Sequence, residues 1–217
     1  MKANVEIPKG AIMQRGGKVL GVKPRTPLGM MGADELERMA AVIRRFEIPY
    51  VKLTSGQRFL LSGLPPEDME AARGMLGDMA GFTPHYVQAC PGTDVCEFGL
   101  RDSMEVGRRL EELLVSLDLP AKVKAGVSGC PRCCGESMVR DLGLVGRRSG
   151  WTLVFGGNAG IAPRVGDVLA DKLSDEEALD LAARVLHIYI DKAPKKIRTA
   201  RFVERMGLDA LKRECGL

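Results

Sequence analysis

The sequence predicts an α+β fold in two parts, and three observations carry that reading. Residues 1–82 run strand, helix, strand, strand, helix. Apolar positions in the helical stretches recur with the period of an α-helix, while the strand stretches are short and bounded by glycine or proline. From Thr83 the character changes, and paired cysteines appear among glycines and prolines, so a second part is expected over residues 83–217. In the first part, Val19–Val22 is a short apolar run after Gly16 and Gly17 and reads as a strand. Residues 34–46 place Leu36, Met39, Ala40, Ile43 and Phe46 on one helix face, with Asp34 near the start. Tyr50–Thr54 and Gln57–Leu61 read as strands of a hairpin that turns at Ser55 and Gly56. Pro65 and Pro66 open a helix with Met69, Ala72, Met75, Leu76 and Met79 inward. Thioethers fill irregular core gaps, so this methionine face reads as core and not as a metal-binding stripe. The order is half of a ferredoxin-like split βαβ arrangement.

The second part is predicted to begin with a helix over residues 102–118, with Val106, Leu110, Leu113, Leu114 and Leu117 in register. Lys122–Ser128 reads as a strand that ends at a cysteine pair, and strands follow at 142–147 and 151–156 around Ser149 and Gly150. Ser174 with Glu177 is a capping box, opening a long amphipathic helix to about Asp191. Pro194 stops it, and a basic helical tail completes the chain. No internal repeat or low-complexity tract is visible.

Composition narrows the function. At 217 residues the chain is long enough to bury a substantial core. Its 45% hydrophobic and 28% charged residues are ordinary for a globular protein. No apolar run is long enough to span a bilayer, and residues 1–13 lack the pattern of a signal peptide, so a cytoplasmic protein is expected. A net charge of +4 without interleaved basic and aromatic residues argues against nucleic acid as a partner. Six cysteines in such a chain point to metal or catalysis and not to a disulfide framework.

Four of those cysteines form two pairs, Cys90 with Cys96 and Cys130 with Cys134, separated by thirty-three residues. Soft anionic thiolates on tight turns suit an iron–sulfur cluster, and Pro91, Gly92, Pro131 and Gly135 supply the turns. A structural zinc accepts similar ligands but favours C-x2-C knuckles, of which Cys130–Cys133 is the one instance. Cys133 and Cys215 read as non-ligands, the latter an idle thiol near the end.

The segments Cys90-PGTDV-Cys96 and Ser128-GCPRCC-Gly135 resemble the cluster motifs of the siroheme-dependent nitrite and sulfite reductases. Leu142-GLV-Gly146 and Phe155-GGNAGIAPRV-Gly166 resemble that family's second half, and Leu53-TSGQRFLLS-Gly63 its ferredoxin-like half. The likeness runs from about residue 12 to the C-terminus, closest in size to the small assimilatory-type sulfite reductases of anaerobes. It implies a ferredoxin-like half followed by a half that binds a 4Fe-4S cluster and siroheme. It makes Cys90, Cys96, Cys130 and Cys134 the cluster ligands, with Cys134 also bridging to the siroheme iron. The implied reaction is the six-electron reduction of sulfite to sulfide, fed by a low-potential donor such as a ferredoxin. Nitrite reduction to ammonia is the alternative, and a cluster-bearing electron carrier or redox sensor without siroheme is a third reading.

Further residues follow from the same likeness. Lys122 and Lys124 alternate on the expected strand and share a face, which alone is what many exposed strands show. The family's lysines in this stretch line the substrate pocket, where ammonium groups stabilise developing charge and give protons. This chain carries Gly126 where some relatives have a third basic residue. Arg58 is a candidate anion binder, two residues after Gly56, the place relatives give to arginine. His85 stands where relatives often have arginine. Gly157, Asn158 and Arg164, together with Arg132 and Arg140, are the candidate contacts to the cofactor and its carboxylates.

Overall fold

The computed structural model describes Ile7 and residues 10–217. The chain forms two compact units, Met1–Thr83 and Pro84–Leu217. In the first, β1 (Ala11–Met13), β2 (Leu20–Val22), α1 (Ala33–Arg45), β3 (Tyr50–Leu53), β4 (Phe59–Leu64) and α2 (Met69–Leu76) follow in order. The strands make one antiparallel sheet in the order β1-β2-β4-β3. Leu20, Val22, Met39, Val42, Ile48, Leu61, Leu64, Met69, Ala72, Leu76 and Met79 form its core, so the methionine face of α2 is indeed packing.

Three details differ from the sequence reading. The strand β1 was not expected, because three residues are too few to show a period. Leu36 and Met75 are exposed, and Val42 takes the buried place on α1. A stripe through Met39 and Val42 puts Leu36 on its flank, and one through Ala72 and Leu76 does the same to Met75. Gln57 and Arg58 lie in the hairpin turn and not in the strand. Thr54 N donates to Arg58 O at 2.8 Å and Gln57 N to Thr54 O at 3.1 Å, with Gln57 at φ +55°.

The second unit contains β5 (Tyr86–Ala89), α3 (Ser103–Ser116), β6 (Lys124–Ser128), β7 (Leu142–Arg147), β8 (Gly150–Phe155), β9 (Asp167–Leu173), α4 (Asp175–Lys192), α5 (Thr199–Met206) and α6 (Leu208–Glu214). Its sheet runs β5-β6-β7-β8-β9. The first three strands are parallel, and β8 and β9 continue antiparallel. Strand β5 was not expected, since its four buried residues do not alternate, nor was β9, whose charged Asp171 and Lys172 resemble a loop. Lys122 is a correction: β6 begins at Lys124, leaving Lys122 in the approach to the strand.

Caps fix the two long helices. Asp102 accepts from Met104 N and Glu105 N to start α3. Ser174 and Glu177 exchange side-chain-to-backbone bonds at the start of α4, the expected capping box. Helices α3 and α4 cover the sheet. Phe155 of β8, Tyr189 of α4 and Phe202 of α5 pack edge-on at centroid distances of 6.3 and 5.3 Å. Burial pushes the Tyr189 phenol up to about 12, Asp141 adding to the rise and Arg198 opposing it.

Candidate metal centre

Parallel pairing of β5 with β6 decides where the cysteines go. Ala89 pairs with Val127, so both strands leave the sheet at the same end, and each opens directly into a cysteine loop. Cys90 follows β5, and Cys130 follows β6 after Gly129. Backbone bonds then clasp the loops together. Cys90 N donates to Val127 O at 3.0 Å, and Leu100 N and Arg101 N donate to Gly129 O at 2.9 and 3.0 Å.

Gly129 N donates to Cys90 Sγ at 3.1 Å, and Ser103 Oγ lies 3.4 Å from the same sulfur. Ser103 Oγ also donates to Cys90 O at 2.7 Å, so the serine hydroxyl and the Gly129 amide together fix the position of Cys90. The close approach needs glycine at position 129, since a Cβ there would fall 2.7 Å from Arg101 O and 2.9 Å from Gly92 Cα. Cys130 is buried, Cys90 and Cys96 are half-buried, and Cys134 is exposed. Among the described residues no three Cys, His, Asp or Glu side chains gather on a point that one ion would occupy. Four thiols on two clasped loops, walled by glycines, are a donor set that fits a 4Fe-4S cluster.

Cys133 stands at φ +58° between the second pair. Cys215 is buried at the far end of α6, and burial pushes its thiol up, with Glu214 adding to the effect and Arg184 opposing it.

The segment after Cys134 is held down by Arg140. Its side chain is 5% exposed, ion-paired with Glu136 and hydrogen-bonded to Gln88 on β5. Loop 156–166 rests on the same stretch: Gly166 N donates to Met138 O at 2.8 Å, and a Cβ on Gly157 would meet Arg140 O at 2.4 Å. Within that loop Asn158 Nδ2 donates to Ala162 O at 2.7 Å, and its Oδ1 accepts from Gly160 N at 3.1 Å. Arg164 pairs with Asp167 and donates to Gly156 O at 2.9 Å. Arg132, exposed between Cys130 and Cys134, stacks on Phe98.

His85, Lys122 and Lys124 form a second group at the opposite end of β5 and β6. One strand length, roughly 13 Å for β6, separates them from the thiols. Val123 N donates to His85 Nδ1 at 3.0 Å, which leaves the ring's other nitrogen to carry its hydrogen. Burial holds the His85 pKa below its ordinary value; Lys122 lowers it further, and Asp141 and Asp118 oppose the shift. The Lys122 ammonium lies 5.3 Å from the centre of the Tyr86 ring. Lys124 N donates to Asp141 Oδ2 at 2.8 Å. Arg58 belongs to the first unit, where Nη1 donates to Thr83 O at 3.3 Å.

Sequence reasoning missed Gly129, Ser103 and Asp141. The first sits inside the cysteine motif and was legible there. Ser103 follows the Asp102 cap, so only its distance to Cys90 reveals it. Asp141 accepts from Lys124, Arg198 and Thr199, partners as far as 58 positions away, and no local pattern announces it.

An α+β unit whose parallel strands deliver four cysteines into one clasped pair of loops is the scaffold of an iron–sulfur protein. Residues 81–217 match the family described as the nitrite and sulphite reductase 4Fe-4S domain, and residues 12–78 match the nitrite/sulfite reductase ferredoxin-like half domain. The chain belongs to the nitrite and sulfite reductase family, and with that membership come the 4Fe-4S cluster and siroheme. It is 48% identical to the assimilatory-type sulfite reductase of Nitratidesulfovibrio vulgaris, over 94% of this chain and 96% of that protein. It is 40% identical to a Bacillus subtilis nitrite reductase [NAD(P)H] over 91% of this chain, but spans only 25% of that protein. The structure of the Mycobacterium tuberculosis NirA protein shares the fold, with TM-score 0.75 at 21% identity over 95% of this chain and 41% of the other. Dissimilatory sulfite reductase I does so with TM-score 0.79 at 13% identity, over 92% and 69% of the two chains.

Proposed function

We propose that this chain is an assimilatory-type sulfite reductase that takes sulfite to sulfide in a six-electron reduction. The observation that carries the reading is the pair of cysteine loops clasped through Gly129, with Cys134 the exposed thiol of the set. Cys90, Cys96, Cys130 and Cys134 would hold the cluster, and Cys134, the exposed thiol of the set, would be the one that faces the siroheme. When bound, the cluster would relay electrons from the donor and the siroheme would provide the iron at which sulfite is reduced. The chain's own part is to hold charge and deliver protons, because each oxygen of sulfite leaves as water. Lys122 and Lys124 carry that part, with ammonium groups that stabilise developing negative charge and give protons. Arg58 is a further cation for the anionic substrate. His85, Arg132, Arg140, Gly157, Asn158 and Arg164 surround the cofactor or set the segments that do. A low-potential carrier of the ferredoxin type supplies the electrons, in the cytoplasm. Among the described residues no helix is long and apolar enough to cross a membrane.

Anaerobically purified protein should show the red-region bands of an isobacteriochlorin over a broad iron–sulfur absorption, and colourless or zinc-bearing material would overturn the reading. Turnover should be greater on sulfite than on nitrite; the reverse order would move the assignment to nitrite reduction, the activity named for the Bacillus relative. The lysines stand a strand length from the thiols, so their role needs its own test. Replacing both by alanine should depress turnover while sparing the visible spectrum, and unchanged turnover would remove them from the mechanism.

A further inference from the structure

One cysteine of each pair starts a tight turn. Gly99 N donates to Cys96 O at 2.9 Å, closing a turn over Cys96, Glu97, Phe98 and Gly99. Cys133 N donates to Cys130 O at 3.2 Å, closing a second over Cys130, Pro131, Arg132 and Cys133. Proline suits the second position of such a turn and glycine the fourth, and the third position projects its side chain away from the turn's own bond. Phe98 and Arg132 occupy those third positions, one in each turn.

The two side chains meet. The Arg132 guanidinium carbon lies 3.7 Å from the centre of the Phe98 ring, well inside the range of a cation–π contact. The phenylalanine is 47% exposed, and Arg132 is exposed too. The loops are thus joined twice, by the Gly129 backbone and by this exposed stack.

We propose that Phe98 and Arg132 are a clasp that closes the two cysteine turns over the cluster, limiting oxygen access and fixing a positive charge beside the thiolates. They are positioning residues, acting through the turns of Cys96 and Cys130. The proposal rests on the cluster reading above and assigns Arg132 a partner within the protein instead of a cofactor carboxylate. A fixed cation favours the more negative, reduced cluster, so the clasp raises its reduction potential.

The test compares anaerobically purified holoprotein with Phe98→Leu, Arg132→Gln, the double variant and Phe98→Tyr. Two readouts serve: the half-life of the visible cluster absorption in air, and the midpoint potential followed by electron paramagnetic resonance. Each single variant should shorten the half-life about threefold and lower the potential, the double should be no worse than Arg132→Gln, and Phe98→Tyr should match the parent. A Phe98→Leu protein indistinguishable from the parent, or a double variant equal to the product of the singles, overturns the clasp. Loss of siroheme in Arg132→Gln with no effect of Phe98→Leu returns Arg132 to the cofactor. If the parent takes up no iron, the proposed function fails separately. The clasp is then read from alkylation of Cys96 and Cys130 in the metal-free chain, where Phe98→Leu should react about threefold faster and an unchanged rate overturns it.

Discussion

At the scale of single residues, the chemistry depends on a few polar contacts that glycine makes room for. Gly129 uses both backbone groups at once, donating to Cys90 Sγ and accepting from Leu100 and Arg101. No other residue fits, because a side chain would enter the space of Gly92 and Arg101. His85 offers a residue-scale prediction. Its pKa is held below the ordinary value chiefly by burial and then by Lys122, so protonation is harder in the fold than in the unfolded chain. The unfolded chain therefore binds more protons below about pH 6.5, and the stability His85 contributes above that pH is lost as pH falls through its folded value. His85→Asn keeps an acceptor for Val123 N but does not titrate. Urea unfolding at pH 7.5 and 5.5 should show a smaller acid loss for the variant than for the parent, and equal losses would contradict the assignment. The candidate cysteine ligands were legible as a spacing; the His85 contact was not, because Val123 lies 38 positions away and reaches it only through strand pairing.

At the scale of elements, the site is a consequence of strand direction. Strands β5 and β6 are parallel, and α3 makes the connection between them, so both cysteine loops leave the same end of the sheet. The two lysines and His85 necessarily stand at the other end. Helix α4 covers the sheet from Ser174 onward, and its start is fixed by the reciprocal Ser174–Glu177 bonds. Ser174→Ala should cost about 1 kcal/mol and lower the melting midpoint by about 2–5 °C, with helix content by circular dichroism unchanged. No shift would mean that Trp151, whose Nε1 donates to Asp175 Oδ1 at 2.6 Å, already holds the helix start alone. The capping box was legible because its partners are three residues apart. Strand β5 was hidden, since a wholly buried four-residue strand has no alternation to display.

At the scale of the whole molecule, the second unit is drawn together by one buried carboxylate. Asp141, the residue before β7, accepts from Lys124 N, from Arg198 Nε at 3.1 Å and from Thr199 Oγ1 at 2.6 Å, tying the C-terminal segment to the sheet beside the lysines. Removing one charge from a fully buried pair costs about 3–5 kcal/mol. The Arg198 side chain is 37% exposed and stays partly hydrated, so Asp141→Asn should cost nearer about 2 kcal/mol. Limited proteolysis should then cut faster after Lys195, Lys196 and Arg198, and a cleavage pattern equal to the parent's would show that the tail is held by other contacts. Cysteine spacings, caps and turns are written within a few residues of one another, so the sequence alone was enough for the candidate ligand set, the capped starts of α3 and α4, and the family. The tertiary structure alone decided that the lysines and thiols lie at opposite ends of β6, that Arg140 is turned into the fold, and that Arg132 meets Phe98. Those relations are set by parallel pairing and packing between residues tens of positions apart, where no local period carries the information.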